Sequence, residues 1–183
     1  ACIVRDEGIG TALLLGERAA IEAQMKDLGL DPAGISVLDP AGDDDLGTYT
    51  DAYFEKRKAK GISRDEAAQV ISDPLFFGAM MVAAGRADGM VAGAVNSTGN
   101  VLRAAFQIIG TAAGSSIVSS CFVMVREDWE LGEDGMIVFG DCAVNPQPNA
   151  EQLADIAAAT AGTARALCGF EPRVAMLSYS TMG

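Results

Sequence analysis

The chain has 183 residues, half of them hydrophobic and 6% aromatic, so it can bury a substantial core, which argues against intrinsic disorder. Its 25 acidic and 13 basic residues give a formal net charge of −12, which argues against a nucleic-acid-binding protein because such proteins need a basic surface. The same charge repels anionic ligands, so a site for an anion must gather positive charge locally.

Predicted strands and helices alternate along the first part of the chain. Apolar runs predict short buried strands at 11–15 and 35–38. Helical patterns follow, and two of them begin at strong capping signals, the Ser63/Glu66 capping box and the Asp73-Pro74 pair. The predicted helices cover residues 17–28, 49–60, a segment opened by Ser63, 74–85 and 101–109.

The apolar run at 89–95 has no alternation, as is typical of a parallel strand covered on both faces. After Gly110 the predicted elements are β-rich runs at 116–125 and 136–139, an Ala-rich helix capped by Asn149 that extends to about 167, and a strand at 174–177. This alternation predicts an α/β fold with a mostly parallel sheet. We expect a domain seam near 110–114, with a first α/β domain at 1–112 and a second at 113–183, both partial.

The loop between the predicted strand 89–95 and the next helix carries the pattern of an anion site. Ser97 and Thr98 stand just before the helix, where free amides and the helix dipole favour an anion, and Arg103 lies in the helix itself. An ordinary N-cap with a surface arginine remains the alternative. Arg57 belongs to the dense basic patch at the end of the helix 49–60, which is either a solvated helix end or a site for a polyanion.

Asp141 and Cys142 follow the predicted strand 136–139. Asp141 could act as a base, as a helix cap or as a hydrogen-bond anchor for the turn, and the cap or anchor is the favoured reading. Cys142 has no cationic neighbour in sequence to lower its pKa, so we do not expect it to be a nucleophile.

The chain contains no histidine, which excludes Ser-His-Asp and Cys-His catalysis and any metal site with a histidine ligand. The cysteines are far apart and form no CxxC pair: Cys2, Cys121, Cys142 and Cys168. We therefore expect free thiols in a reducing cytoplasm and no metal centre. No apolar run approaches the ~20 residues of a transmembrane helix, so no membrane association is expected. The start lacks a signal pattern and an initiator Met, and we expect further residues before it.

Several segments, in their order and spacing, resemble the phosphate acetyltransferase (phosphotransacetylase) family over essentially the whole chain. They are YFEKRKAKG, DPLFFGAMM, ADGMVAGAVNSTGNVLRAAFQII, VFGDCAVNPQPNAEQLADIA and EPRVAMLSYSTMG. The resemblance implies an isocitrate/isopropylmalate dehydrogenase-like fold in two domains, with the active site in the cleft between them. It also implies a homodimer in which the thiol of coenzyme A attacks acetyl phosphate directly, with no metal or prosthetic group. Coenzyme A, acetyl-CoA, phosphate and acetyl phosphate are then substrates.

The resemblance also implies roles for individual residues. Arg57 and Arg103 match arginines that serve anionic groups of coenzyme A or acetyl phosphate, and Arg103 is the candidate catalytic residue. Ser97 and Thr98 are expected to bind substrate, and Ser180 and Thr181 to line the site from the second domain. The family's thiol-activating aspartate falls in a segment beyond Gly183, so residues 1–183 alone are expected to be inactive. Where the family usually has proline after the arginine matched by Arg103, this chain has Ala104.

Three alternatives stay open. Phosphate butyryltransferases share the fold, although GDCAVNP and LSYSTMG are closer to the acetyltransferases. A non-catalytic acyl-CoA-sensing domain, as in some malic enzymes, would carry a catalytic domain before Ala1. An unrelated nucleotide-binding α/β domain is disfavoured because the chain has neither a GxGxxG nor a GxxxxGK[ST] loop.

Overall fold

The computed structural model describes residues 1–112 and 115–177. It divides the chain into a first unit, Ala1–Gly110, and a second unit, Thr111–Gly183. The predicted domain division at 112 and 113 stays a prediction, because a compact unit is not by itself an independently folding domain.

The first unit combines a small parallel sheet with a set of helices. Strand β1 (Leu13–Leu15) pairs in parallel with β2 (Ser36–Leu38). The α-helices are α1 Cys2–Asp6, α2 Arg18–Asp27, α3 Leu46–Arg57, α4 Arg64–Ile71, α5 Pro74–Ala83 and α6 Thr98–Ala104. Short 3₁₀ turns follow β2 at Pro40–Gly42 and α3 at Lys58–Lys60, and α6 continues as a π-helical turn over Ala105–Ile109.

Local capping explains where two of these helices begin. The Ser63 hydroxyl accepts the Glu66 amide at 3.2 Å, and the Glu66 carboxylate accepts the Ser63 amide at 2.8 Å, which confirms the predicted capping box. The Asp73 carboxylate accepts the Leu75 amide at 2.8 Å, with Pro74 at the first helical position. Both helix starts are therefore set by residues within three positions of the boundary.

Helix α5 forms the centre of the first unit's core. Phe77 is fully buried and its ring lies 5.1 Å from the ring of Tyr49 on α3, and Ile71 of α4 is also fully buried. The predicted apolar stripe on α5 is confirmed as core packing, with Met80 and Met81 buried. Side chains from α3, α4, α5 and α6 thus pack into one cluster.

The second unit contains an antiparallel pair and a long helix. Strand β3 (Cys121–Val125) pairs with β4 (Met136–Gly140), with Val123 opposite Val138. Helix α7 (Ala150–Thr163) begins at the predicted Asn149 cap and continues as a π-helical turn over Ala164–Cys168. A mixed α/β fold is therefore observed, with parallel pairing between β1 and β2 only among the described residues.

Two predicted strands are wrong. Residues 89–95 and 174–177 have no strand partner in the described part of the chain, and Val91 and Val95 are fully exposed. Apolar composition favours burial, but a strand also needs a neighbour to accept its backbone hydrogen bonds, and no local pattern supplies one. The predicted run at 116–125 is likewise a strand only over Cys121–Val125. Within the two described ranges, no helix is long and apolar enough to cross a membrane.

Candidate active site

A cavity of about 670 Å³ in the first unit brings together basic residues that are distant in sequence. Arg57 and Lys60 border it from the end of α3 and the following 3₁₀ turn, and Arg103 borders it from the last turn of α6. The whole chain carries a net charge of −12, whereas three cations border this one cavity. Positive charge is therefore concentrated here in an otherwise acidic protein.

The two carboxylates that border this cavity are already occupied by backbone amides. Glu66 belongs to the α4 capping box, and Asp73 caps α5. Arg57, Lys60 and Arg103 make no ion pair with any residue in 1–112 or 115–177. Because the cations are not neutralised by the protein's own carboxylates, the cavity is suited to an anion.

Backbone geometry at Gly61 places Arg57 and Lys60 beside α4. Gly61 has φ 84°, in the left-handed region, and ends the 3₁₀ turn that follows α3. Glycine adopts this conformation without steric cost, so the chain reverses sharply into the Ser63 cap of α4. This reversal closes one wall of the cavity, which Gln69 and Val70 of α4 complete.

Other residues that border the cavity stand at helical spacing from the two arginines. Tyr53 precedes Arg57 by one turn of α3, Lys60 follows it by one turn, and Gln107 follows Arg103 by one turn. Sequence reasoning missed Tyr53 and Gln107, and it singled out only Arg57 from the basic patch to which Lys60 also belongs. The i, i+3 and i, i+4 spacing was the signal that could have found them, because it places residues on one helix face.

The predicted loop residues lie at the start of α6 rather than at this cavity. The Ser97 hydroxyl caps α6 by accepting the Asn100 amide at 3.3 Å, and Thr98 is the first helical residue. Neither borders the cavity that Arg57 and Arg103 share. Ala104, which stands where the family usually has proline, is buried at the last position of α6. Ser180 and Thr181 fall outside the described residues.

In the second unit, Asp141 is an anchor for the turn after β4. Its carboxylate accepts the Ser120 and Asn145 amides at 3.0 Å and 2.6 Å and the Asn145 side-chain amide at 2.7 Å. Burial acts to raise the pKa of Asp141, but hydrogen bonds from Ser120, the Ala143 amide and Asn145 outweigh it and hold the pKa well below its usual range. A carboxylate held in its ionised form is a weak base, so the geometry supports the anchor interpretation.

The second unit also contains an apolar cavity of about 370 Å³ between β4, α7 and the segment 170–177. The Thr160 hydroxyl packs there against Gly140 and makes no hydrogen bond with the described part of the protein. Cys142 lies 3.5 Å from the Ser120 hydroxyl, and no group of three Cys, Asp or Glu side chains suited to a metal ion occurs among the residues described.

The fold and the cavity together define a mixed α/β protein with a cationic site in its first unit. The family model described as "Phosphate acetyl/butaryl transferase" matches residues 1–183. The chain therefore belongs to the phosphate acetyl/butyryl transferase family, as the sequence segments predicted.

Individual relatives agree with the family match. The chain is 49% identical to a phosphate acetyltransferase of Thermoanaerobacterium thermosaccharolyticum, with 99% of this chain and 55% of the relative aligned. It is 46% identical to the phosphate acetyltransferase of Clostridium acetobutylicum, over 97% of this chain and 53% of the relative. The chain thus spans about half the length of these relatives.

A solved structure supports the same relationship. A phosphotransacetylase from Streptococcus pyogenes superposes with a TM-score of 0.88 at 37% identity, covering 100% of this chain and 54% of that one. The EutD phosphotransacetylase from Staphylococcus aureus gives 0.80 at 37% identity, covering 94% of this chain and 50% of that one. At this level of identity and superposition, the similarity extends beyond a shared fold.

Proposed function

We propose that this protein is a phosphate acetyltransferase, which exchanges an acetyl group between coenzyme A and phosphate. The observation that carries the proposal is the cavity shared by Arg57, Lys60 and Arg103, in a chain of a family named for this reaction. Both reactants carry phosphate groups, and the site gathers cations that the protein leaves without ion pairs among the residues described.

The proposed reaction needs two contributions from the protein. In the direction of acetyl-CoA synthesis, the thiol of coenzyme A loses its proton to a base and forms a bond to the acetyl carbon. The bond between that carbon and the phosphate oxygen breaks, and phosphate leaves with the bonding electrons. Positive charge beside the departing phosphate lowers the barrier, and Arg103 is our candidate for this role, with Arg57 holding anionic substrate groups.

The remaining site residues and the assembly are proposals that depend on the family resemblance. Ser97 and Thr98 are proposed substrate contacts at the start of α6, and Ser180 and Thr181 are proposed contacts from the second domain. We propose the isocitrate dehydrogenase-like arrangement of two domains, a mostly parallel sheet, a homodimer and a cytoplasmic location.

A thiol-release assay on the full-length protein tests the proposal. Phosphate-dependent release of coenzyme A should be faster from acetyl-CoA than from butyryl-CoA. The reverse ranking would identify a phosphate butyryltransferase, the second function that the family description includes. Binding of acyl-CoA without phosphate-dependent release would overturn the catalytic proposal and favour an acyl-CoA sensor.

A further inference from the structure

Two hydrogen bonds connect α3 to the segment that follows Arg103. The Tyr53 hydroxyl donates to the Gln107 side-chain oxygen at 2.6 Å. The Lys56 ammonium donates to the Ile108 carbonyl oxygen, also at 2.6 Å. Both acceptors lie in the π-helical turn Ala105–Ile109 that continues α6 directly after the Arg103 turn. These hydrogen bonds therefore connect α3 directly to the turn that continues α6.

The Tyr53 side chain is held in place by the core around it. It is 3% exposed, and its ring meets the ring of Phe76 on α5 edge to face, with centroids 6.3 Å apart. A buried ring packed in this way has little freedom to move, so its hydroxyl holds Gln107 close to α3.

The Lys56 hydrogen bond is a second contact that holds the turn continuing α6. Carbonyl groups in the last turn of a helix have no partner within the helix, and a cation is favoured there by the helix dipole. Lys56 satisfies the Ile108 carbonyl, while the Ile108 side chain is buried in the core at 2% exposure. The end of the segment that carries Arg103 is thus held by a charge on α3.

The pKa of the Tyr53 hydroxyl is affected by both arginines. Burial raises the pKa of Tyr53, and the positive charges of Arg57 and Arg103 oppose that shift. Both arginines also border the same cavity as Tyr53. Because the net shift is upward, the hydroxyl stays protonated at neutral pH and remains the donor to Gln107.

We infer that Tyr53 is a positioning residue, whose hydrogen bond to Gln107 sets the separation of Arg57 and Arg103 so that both arginines can engage one polyanionic ligand. The inference rests on the proposed function for the identity of that ligand, which would be coenzyme A. The geometry that supports it requires only a ligand with closely spaced phosphate groups.

Three variants of the full-length protein test the role of the hydrogen bond: Tyr53→Phe, Gln107→Met and the double variant. Each removes a polar partner and keeps the side-chain shape. Calorimetric titration would give the Kd for coenzyme A and for inorganic pyrophosphate. We expect each single variant to raise Kd roughly three- to tenfold, and the double variant to raise it no further, because all three lose the same hydrogen bond. Additive effects in the double variant would mean direct ligand contacts and would overturn the positioning role.

Tyr49→Phe is the matched control, because Tyr49 is a buried tyrosine one turn earlier on α3 that does not border the cavity. It should leave both Kd values near wild type, even if both Tyr→Phe variants lower Tm by a few degrees. An equal rise in Kd for Tyr49→Phe, or an unchanged Kd for Tyr53→Phe, would overturn the inference.

The two probes separate this inference from the proposed function. Wild-type protein that binds pyrophosphate with a Tyr53-dependent Kd but does not bind coenzyme A would sustain the positioning role and overturn the acetyltransferase. Coenzyme A binding with a Kd that Tyr53→Phe leaves unchanged would overturn the positioning role and leave the acetyltransferase proposal standing. A wild-type protein that binds neither probe would overturn both.

Discussion

The first unit buries a continuous apolar core, whereas the second unit leaves large apolar side chains of its sheet exposed. Phe77 and Ile71 are fully buried in the first unit. In the second, Phe122, Val125 and Phe139 are 59%, 64% and 47% exposed. The cationic cavity belongs to the unit with the packed core, and this follows a general requirement. Charged side chains hold a fixed geometry only when the elements that carry them cannot shift.

The second unit holds its β3 and β4 ends by polar contacts instead. Asp141 gathers hydrogen bonds from Ser120 and Asn145 around the turn that follows β4. Such a network fixes the turn locally, but it buries little apolar surface. We therefore expect the two units to differ in local stability, with the first unit opening less often.

The largest expected effect is on the free energy of unfolding, and it is tested by replacing one phenylalanine in each unit. Phe77→Ala should lower the free energy of unfolding by about 3–5 kcal/mol, because it removes a fully buried ring from the centre of the core. Phe122→Ala, which removes a ring that is 59% exposed, should cost less than about 1 kcal/mol. Urea unfolding followed by circular dichroism measures both. Equal losses would show that the exposed face of β3 is covered in solution, and the contrast between the units would fail.

The next effect concerns function in the first unit. Arg103→Gln in the full-length protein should reduce activity by tens-fold or more, a loss of about 2 kcal/mol or above in transition-state stabilisation. Initial rates of thiol release at varied acetyl-CoA and phosphate give kcat and KM. Arg18→Gln is the control, since Arg18 is exposed on α2 and does not border the cavity. If the two variants lose activity to the same extent, Arg103 has no special role.

The smallest effect concerns the polar network of the second unit and its pH dependence. Asp141→Asn should cost about 1–2 kcal/mol at pH 7, because an amide cannot accept all the hydrogen bonds that converge on the carboxylate. The folded pKa of Asp141 is lowered, so its stabilising contribution is complete above the ordinary aspartate pKa of about 4 and is lost as pH falls below it.

Urea unfolding at a series of pH values measures this difference. The gap in unfolding free energy between wild type and Asp141→Asn should stay constant from pH 7 to pH 5 and narrow below about pH 4. A gap that narrows already above pH 5 would mean that Asp141 titrates as an ordinary or raised carboxyl. That result would support the interpretation of Asp141 as a catalytic base.

The cationic cavity was only partly predictable from the sequence. Arg57 and Arg103 were predicted as candidates, each from its own local pattern and from the resemblance. No local pattern indicates that they share a cavity, because they are 46 positions apart and their proximity depends on how α3 and α6 each pack against α5. Tyr53 and Gln107 were missed although each stands one helical turn from an arginine, because their importance comes from a contact between two helical segments.

By itself, the sequence determined the starts of α4, α5 and α7, because the Ser63, Asp73 and Asn149 caps act on amides within three residues. It also determined the family, because the order of several specific segments needs no coordinates. Only the tertiary structure decided that residues 89–95 have no strand partner in the described chain, and that Arg57 and Arg103 border one cavity. Both outcomes depend on which distant segment lies alongside, and that choice is made by packing of the whole unit.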